Sequence, residues 1–373
     1  EYDKDNPEIP QNYFHGWIEE VRIWNTALTE EQLRFMMNQR LEVGVTPVKG
    51  DVLPLSVPGN LAWTSLGGYY QLLVNEAANG ITKDNAANKV DGLLKNITTP
   101  QKNTTPLPYV SVANGPWRDK NIWAQPVVWD VPNSKGINNE NINWNIAKIN
   151  QDITSGGHDI NVLGLLSEGG TLKISNPNET EDWQNTGQAL RVSHYLKLNG
   201  NIILVGESQL VQTDIKTAAE ITDPTVEFPQ SITSVLEESS SGYIERAQQG
   251  TANSYNYNYW SSPVSLQEAA NNSTYTVASV MLDGSPNSNN GKALAFNDWH
   301  EHADYSYPAS APRKVSNYWI NKFRGTANVY SEWVRIKSTG ILQAGEGYTM
   351  KGTSGQAAIA DRQNYVFKGK PNN

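Results

Sequence analysis

The densest set of ionisable side chains in this chain is Asp298-Trp299-His300-Glu301-His302-Ala303-Asp304. On an extended strand His300, His302 and Asp304 project to one face, a donor set that zinc or copper accepts. The same residues also read as a polar surface loop, and with no distant fourth ligand in view that reading carries more weight. Asp3, Asp5, Asn6 and Glu8 bring oxygen donors close together as calcium loops do, although the glycine and downstream glutamate of an EF-hand are missing. Calcium is therefore the one cofactor to consider. Neither Gly-x-Ser-x-Gly nor His-Glu-x-x-His occurs, and the five histidines are scattered. Glu19 and Glu20, like Glu237 and Glu238, are adjacent and would face opposite sides of a strand, which argues against a glycosidase pair. Catalysis by this chain is not expected.

Aromatic residues offer a second kind of chemistry, stacking on sugar rings. Tyr255, Tyr257 and Tyr259 alternate in Tyr255-Asn256-Tyr257-Asn258-Tyr259-Trp260, so a strand would place all three on one sheet face. Trp117, Trp123 and Trp129 recur every six residues, and Trp117 and Trp123 join the tyrosines as ligand-binding candidates. Prolines at 116, 126 and 132 break any continuous strand there. Tryptophans in β modules more often plug cores than face solvent.

The elements that must carry these residues are read as mainly β. Residues 13–33 combine a strand-like run, Ile18, Val21, Ile23 and two tryptophans, with Thr29-Glu30-Glu31-Gln32, the signature of a capped short helix. Residues 44–60, with several prolines, read as a linker. A β-rich module is expected over 61–245. Within it, short apolar runs at 160–213 separated by Gly/Asn turns suggest strands stacked as a β-solenoid, with a folded-over sandwich as the other arrangement. A second β-rich module, of sandwich type, is expected over 246–373.

Composition narrows the classes further. The net charge is −9, and the chain holds 12 Trp, 17 Tyr and no Cys. Charged residues make up 18%, against about 25% in an average domain. Nothing here supplies a basic footprint for nucleic acid, a disulfide framework or a thiolate metal site. No apolar run reaches the length of a membrane span.

Gly16-Trp17-Ile18-Glu19-Glu20-Val21-Arg22-Ile23-Trp24-Asn25, followed by Ala27-Leu28-Thr29, resembles the closing strand of the LamG (concanavalin A-like laminin G) family. The resemblance implies the end of a β-sandwich over residues 1–43, with calcium as a frequent guest of the family. The rest of that sandwich would lie upstream, so residue 1 is expected to be an internal cut, and the C-terminus likewise. From about Tyr70 onward the chain is similar to very large surface proteins of gliding flavobacteria and their relatives, exported by the type 9 secretion system. The phrases that carry the likeness include Val127-Val128-Trp129-Asp130-Val131-Pro132-Asn133-Ser134, LRVSHYLKLNGNIILVGESQLVQ over 190–212, Tyr257-Asn258-Tyr259-Trp260-Ser261-Ser262-Pro263-Val264 and Gly345-Glu346-Gly347-Tyr348-Thr349-Met350-Lys351-Gly352.

What this implies is a segment of an extracellular, non-enzymatic bacterial adhesin that attaches to glycans or abiotic surfaces. The type 9 secretion and gliding machinery would be engaged through other parts of the polypeptide. Two alternatives stand beside it: an accessory region of a secreted polysaccharide-degrading enzyme, and a purely structural stalk or filament.

Overall fold

The computed structural model describes residues 14–97, 105–124, 130–215, 231–284, 291–298, 313–325 and 328–373. The chain is mainly β, and its described residues fall into two compact units, one ending at Pro108 and the other running from Tyr109 to Asn373.

The first unit contains β1 (Val21–Trp24), α1 (Glu30–Met36), β2 (Leu66–Tyr70), α2 (Val74–Asn79), β3 (Ile81–Thr82) and β4 (Gly92–Leu93). The expected capping box forms: Thr29 Oγ1 accepts from Gln32 N, and Gln32 Oε1 accepts from Thr29 N. Glu30 and Glu31 add negative charge at the positive end of the helix. Strand β1 pairs antiparallel with β2, Val21 opposite Tyr70, so its partner lies downstream in the chain. Glu20 ties the pair together: its carboxylate accepts from the Tyr69 hydroxyl at 2.7 Å and pairs with Arg22 and Arg40. Arg22 also donates to the carbonyls of Met36, the last residue of α1, and of Gln39 just beyond it, satisfying groups that a helix end leaves open.

The stretch read as a linker is part of this core. Val48, Leu53 and Val57 are buried with Phe35, Met36, Leu41, Leu61, Trp63, Leu66 and Tyr69. The chain folds back on itself here: Val57 N donates to Val48 O and Val48 N to Leu61 O. The division of the chain accordingly falls near residue 108, not at 60.

The second unit opens with β5 (Tyr109–Val110), β6 (Gly115–Pro116), β7 (Ile146–Ile149), β8 (Ile153–Thr154), β9 (Ile160–Ser167), β10 (Thr171–Ile174), β11 (Ala189–Leu198) and β12 (Asn201–Leu204). It continues through β13 (Gln209–Val211), β14 (Thr213–Ile215), β15 (Ser231–Thr233), β16 (Val235–Leu236) and β17 (Tyr243–Thr251). Apart from β14 and β15, which pair antiparallel with each other, the strands are divided between two parallel sheets, alternating in turn from β5 to β13. One runs β5-β7-β9-β11, with β13 and β16 both on β11, and the other runs β6-β8-β10-β12-β17. This is a two-sheet solenoid, longer than the 160–213 stretch expected. Strands β10 and β12 alternate half-buried and buried positions, the period of two that lets each coil point Leu172, Ile174, Ile202 and Leu204 inward. Glycines permit the tight corner: a Cβ on Gly200 would meet the carbonyl of Gly169 at 2.6 Å, and one on Gly242 the carbonyl of Gly200 at 1.8 Å.

The chain then forms β18 (Tyr257–Ser261), β19 (Val264–Ser265), α3 (Val277–Val280), β20 (Met281–Asp283), β21 (Lys292–Ala293), β22 (Ala295–Asn297) and β23 (Lys314–Ser316). Strands β24 (Asn321–Phe323), β25 (Trp333–Arg335), β26 (Gly347–Lys351) and β27 (Arg362–Pro371) complete it. Strand β27 lies antiparallel on β17, Ile244 opposite Gly369, and ends the parallel stacking. One continuous apolar cluster reaches from Tyr109 to Phe367, so no module boundary occurs at 245/246.

Candidate functional site: an exposed aromatic sheet face

Strands β18, β26, β24 and β25 form a four-stranded antiparallel sheet in that order. Along β18 the exposure alternates: Tyr257 is 39% and Tyr259 75% exposed, while Asn258 and Trp260 are buried. Inward, Trp260 packs against Tyr365 and Phe367, ring centroids 5.6 and 5.9 Å away. Register places Lys351 opposite Tyr257, Thr349 opposite Tyr259 and Asn321, Arg335 opposite Asn321, and Trp333 opposite Phe323. Pleating therefore gathers Tyr257, Tyr259, Lys351, Thr349, Asn321, Phe323, Trp333 and Arg335 on one face.

These residues make two aromatic groups. Tyr257 meets Trp319 edge-on at 6.1 Å, and Trp319 meets Tyr318 at 4.7 Å. Lys351 Nζ sits 3.7 Å above the Trp319 ring and the Arg335 guanidinium 4.5 Å above Tyr318. In the other group Trp333 lies 5.1 Å from Phe323 and 6.4 Å from Tyr259. Tyr259 and Trp333 belong to the two outer strands, whose backbones in a flat sheet would stand about 14 Å apart. Their rings lean toward each other across the central strands, over small side chains such as Thr349, which is only 4% exposed.

Electrostatics match this crowding. Burial, then the neighbouring hydroxyls of Tyr330, Tyr259 and Tyr318, raises the Tyr257 phenol above its ordinary range. Desolvation lowers the Lys351 ammonium. Tyr330, 91% exposed, stands free beside the group. A surface of this kind offers apolar ring faces together with hydroxyl and ammonium donors, the combination that holds a pyranose ring.

The other sequence candidates fare differently. Tyr255 is exposed but precedes β18, held by its backbone N–H donating to Asn253 Oδ1. Trp117 and Trp123 are 1% and 3% exposed and cannot stack on a ligand. They are core plugs: their rings meet edge-to-face at 5.0 Å, and their indole N–H groups donate to the carbonyls of Pro132 and Trp117. The metal candidates Asp3, Asp5, Glu8, His300, His302 and Asp304 lie outside the described residues. Asp298, at the head of the second cluster, pairs with Lys337 and accepts from Asn317. Among the described residues no group of three or more His, Asp or Glu is placed to hold a metal ion. Also among them, no helix is long and apolar enough to cross a membrane.

Sequence reading found Tyr257 and Tyr259 but missed Trp319, at the end of a 3-10 turn, and Phe323, Trp333 and Lys351, on strands, all sixty or more residues later in the chain. The alternation in Asn321-Lys322-Phe323 and Trp333-Val334-Arg335 was the available signal. Against family profiles, curated proteins and solved structures, no match to the chain was found.

Proposed function

We propose that this chain is a non-enzymatic segment of a large bacterial cell-surface adhesin, and that its aromatic sheet face grips glycan chains outside the cell. The observation that carries the reading is the cluster of Tyr257, Tyr259, Trp333 and Tyr330, an apolar surface rimmed by cations and hydroxyls and exposed among the described residues. The likeness of its sequence phrases to type 9-secreted surface proteins supports display at the cell surface. A single shallow face binds weakly, so an adhesin would gain hold by presenting many copies or many modules.

Binding to a panel of immobilised neutral polysaccharides tests it, comparing the native chain with the triple variant Y257A/Y259A/W333A. Retention of the native chain on at least one polysaccharide, weakened about tenfold or more in the variant, is the expected result. Equal retention of both proteins, or no retention on any polysaccharide, refutes the assignment.

A further inference from the structure

Away from the aromatic face, the solenoid holds a cleft of about 520 Å3, within the size range of small-ligand sites, ~300–1,000 Å3. It lies where three successive coils pass from the second sheet to the first. Arg118 follows β6, residues 157–159 lie between β8 and β9, Asn161 is near the start of β9, Gln188 precedes β11 and Arg191 is near its start. Coil stacking sets such segments about 4.8 Å apart; the register puts Arg191 directly opposite Asn161, and Arg118 and His158 line the same cleft. Lys135 and Asn133 come from the excursion between β6 and β7. Three fixed positive charges, Arg118, Lys135 and Arg191, thus face one carboxylate, Asp159, on a chain whose net charge is −9.

The polar groups are of two kinds. Asn133 is buried and frames the wall: its Nδ2 donates to Ile142 O, and its Oδ1 accepts from Asn161 N. By contrast, among the described residues the side chains of Arg118, Arg191, Asn161 and Gln188 make no hydrogen bond of their own; Asn161 and Gln188 are held by their backbone amides, which donate to Asn133 Oδ1 and Ser208 Oγ. One oxygen of Asp159 accepts from Ala189 N, which leaves the other for a donor from outside. Burial, then Arg118, holds the His158 imidazole below its ordinary range, so near neutral pH it is an uncharged donor and acceptor.

We propose that this cleft is a binding site for an acidic oligosaccharide, a uronate-bearing chain. The two arginine forks would take its carboxylates, and Asn161, Gln188 and Asp159 its hydroxyls. Guanidinium forks match the planar carboxylate in bidentate fashion. Side-chain amides, which donate and accept at once, match hydroxyls. A bare polyanion would leave Asp159 facing like charge, whereas a sugar offers it hydroxyl donors. The site does not rest on the aromatic face, so the two readings fail or stand separately.

Calorimetric titration of the full chain with a short oligogalacturonate tests it, beside the neutral galactose oligomer of equal length and inorganic sulfate. The uronate is expected to bind, to weaken as salt rises, and to lose about tenfold or more in affinity in R118Q/R191Q. N161A/Q188A should lose affinity for the oligomer without gaining any for sulfate. Both arginines are exposed, so the substitutions leave the coil intact, checked by an unchanged far-UV spectrum. Y259A/W333A is expected to bind the uronate as the native chain does. Equal affinity for the neutral oligomer, unchanged affinity in R118Q/R191Q, or absence of uronate binding at millimolar concentration overturns the proposal. Sulfate binding as tightly as the oligomer also overturns it, by reducing the site to a general anion trap.

Discussion

Gly242→Ala isolates the stacking distance of the solenoid in one methyl group. Gly242 has no left-handed φ, so alanine meets no backbone penalty there, and any cost is steric. The added Cβ would sit 1.8 Å from the carbonyl oxygen of Gly200 and 3.0 Å from two backbone carbons of the coil below. Non-bonded carbon is comfortable at about 3.5–4.0 Å, so the coils must part by about 1.5 Å or more out of a spacing near 4.8 Å. Parting strains the bond from Gly242 N to Leu198 O, 2.8 Å long, and the four register pairs between β12 and β17. Overpacking of this kind costs about 1–3 kcal/mol, and one lost backbone hydrogen bond about 1 kcal/mol more. The expected destabilisation is therefore about 2–4 kcal/mol, which lowers a urea midpoint by about 1 M at a slope near 3 kcal/mol/M. Gly347→Ala is the matched control: it also lacks a left-handed φ, and its Cβ would meet only the carbonyl of Trp260 at 3.5 Å. That variant should be neutral or gain up to about 1 kcal/mol from reduced unfolded-state entropy. Urea melts at constant pH, with hydrogen exchange read over residues 201–204 and 243–251, measure both. A Gly242→Ala midpoint within 0.2 M of native, or the two variants shifting together, would show that the coils do not stack at this corner as described.

Truncating Trp117 to Ala should cost about 3–5 kcal/mol, since it empties a buried site and orphans the Pro132 carbonyl, and a thermal melt reads this directly. Trp117→Phe should cost less, and equal losses would contradict the packing account. In the first unit, burial of the Asp84 carboxyl, which favours the neutral form, is outweighed by hydrogen bonds from the amides of Tyr69, Ala86 and Val90, and its pKa is lowered. Its stabilisation is fully present above the unfolded carboxylate value of 3.8 and is lost as pH falls through the lower folded value. Asp84→Asn should cost about 1–2 kcal/mol at pH 7 and flatten that acid limb, as followed by hydrogen exchange of residues 66–93. Gln39 is fully buried, donating to Phe35 O and accepting from Leu53 N. Gln39→Leu strands both groups and should cost about 2–4 kcal/mol, whereas a shift below 0.5 kcal/mol would show that water replaces them.

Much of this architecture was legible because it is local. The box at Thr29 and Gln32 and the period-two runs of the solenoid each need only a few neighbouring residues to declare themselves. Pairing across distance was not legible. Residues 44–60 looked like a linker because prolines punctuate them, yet Val48, Leu53 and Val57 are buried, and the amides of Val48 and Leu53 donate to Leu61 O and Gln39 Oε1 on either side of the stretch. The same limit split the candidate site. Tyr257 and Tyr259 announced a face by alternation, but nothing near them in the chain told of Trp319, Trp333 or Lys351. Trp117 and Trp123 misled because their spacing of six says nothing about exposure, which the first coils alone decide. The basic cleft had no local signal at all: Arg118, His158 and Arg191 come from different coils and meet only through the stack.

The closing strand gives the second unit an order of assembly. Neighbouring coils pair residues 18 to 42 positions apart, from Ile146 with Gly164 to Asn201 with Tyr243, whereas β17 and β27 pair residues more than a hundred apart. At equilibrium the longer loop matters little, because each doubling of loop length costs only about 0.6 kcal/mol. In time it matters more, since contacts between distant segments form late. A chain that emerges from its N-terminal side can stack coil on coil as it appears. The edge of Tyr243–Thr251 then remains an open template, ready to pair with any passing strand. Only when residues 362–371 arrive is that edge occupied, so the final strand acts as a latch that converts a growing stack into one of fixed length.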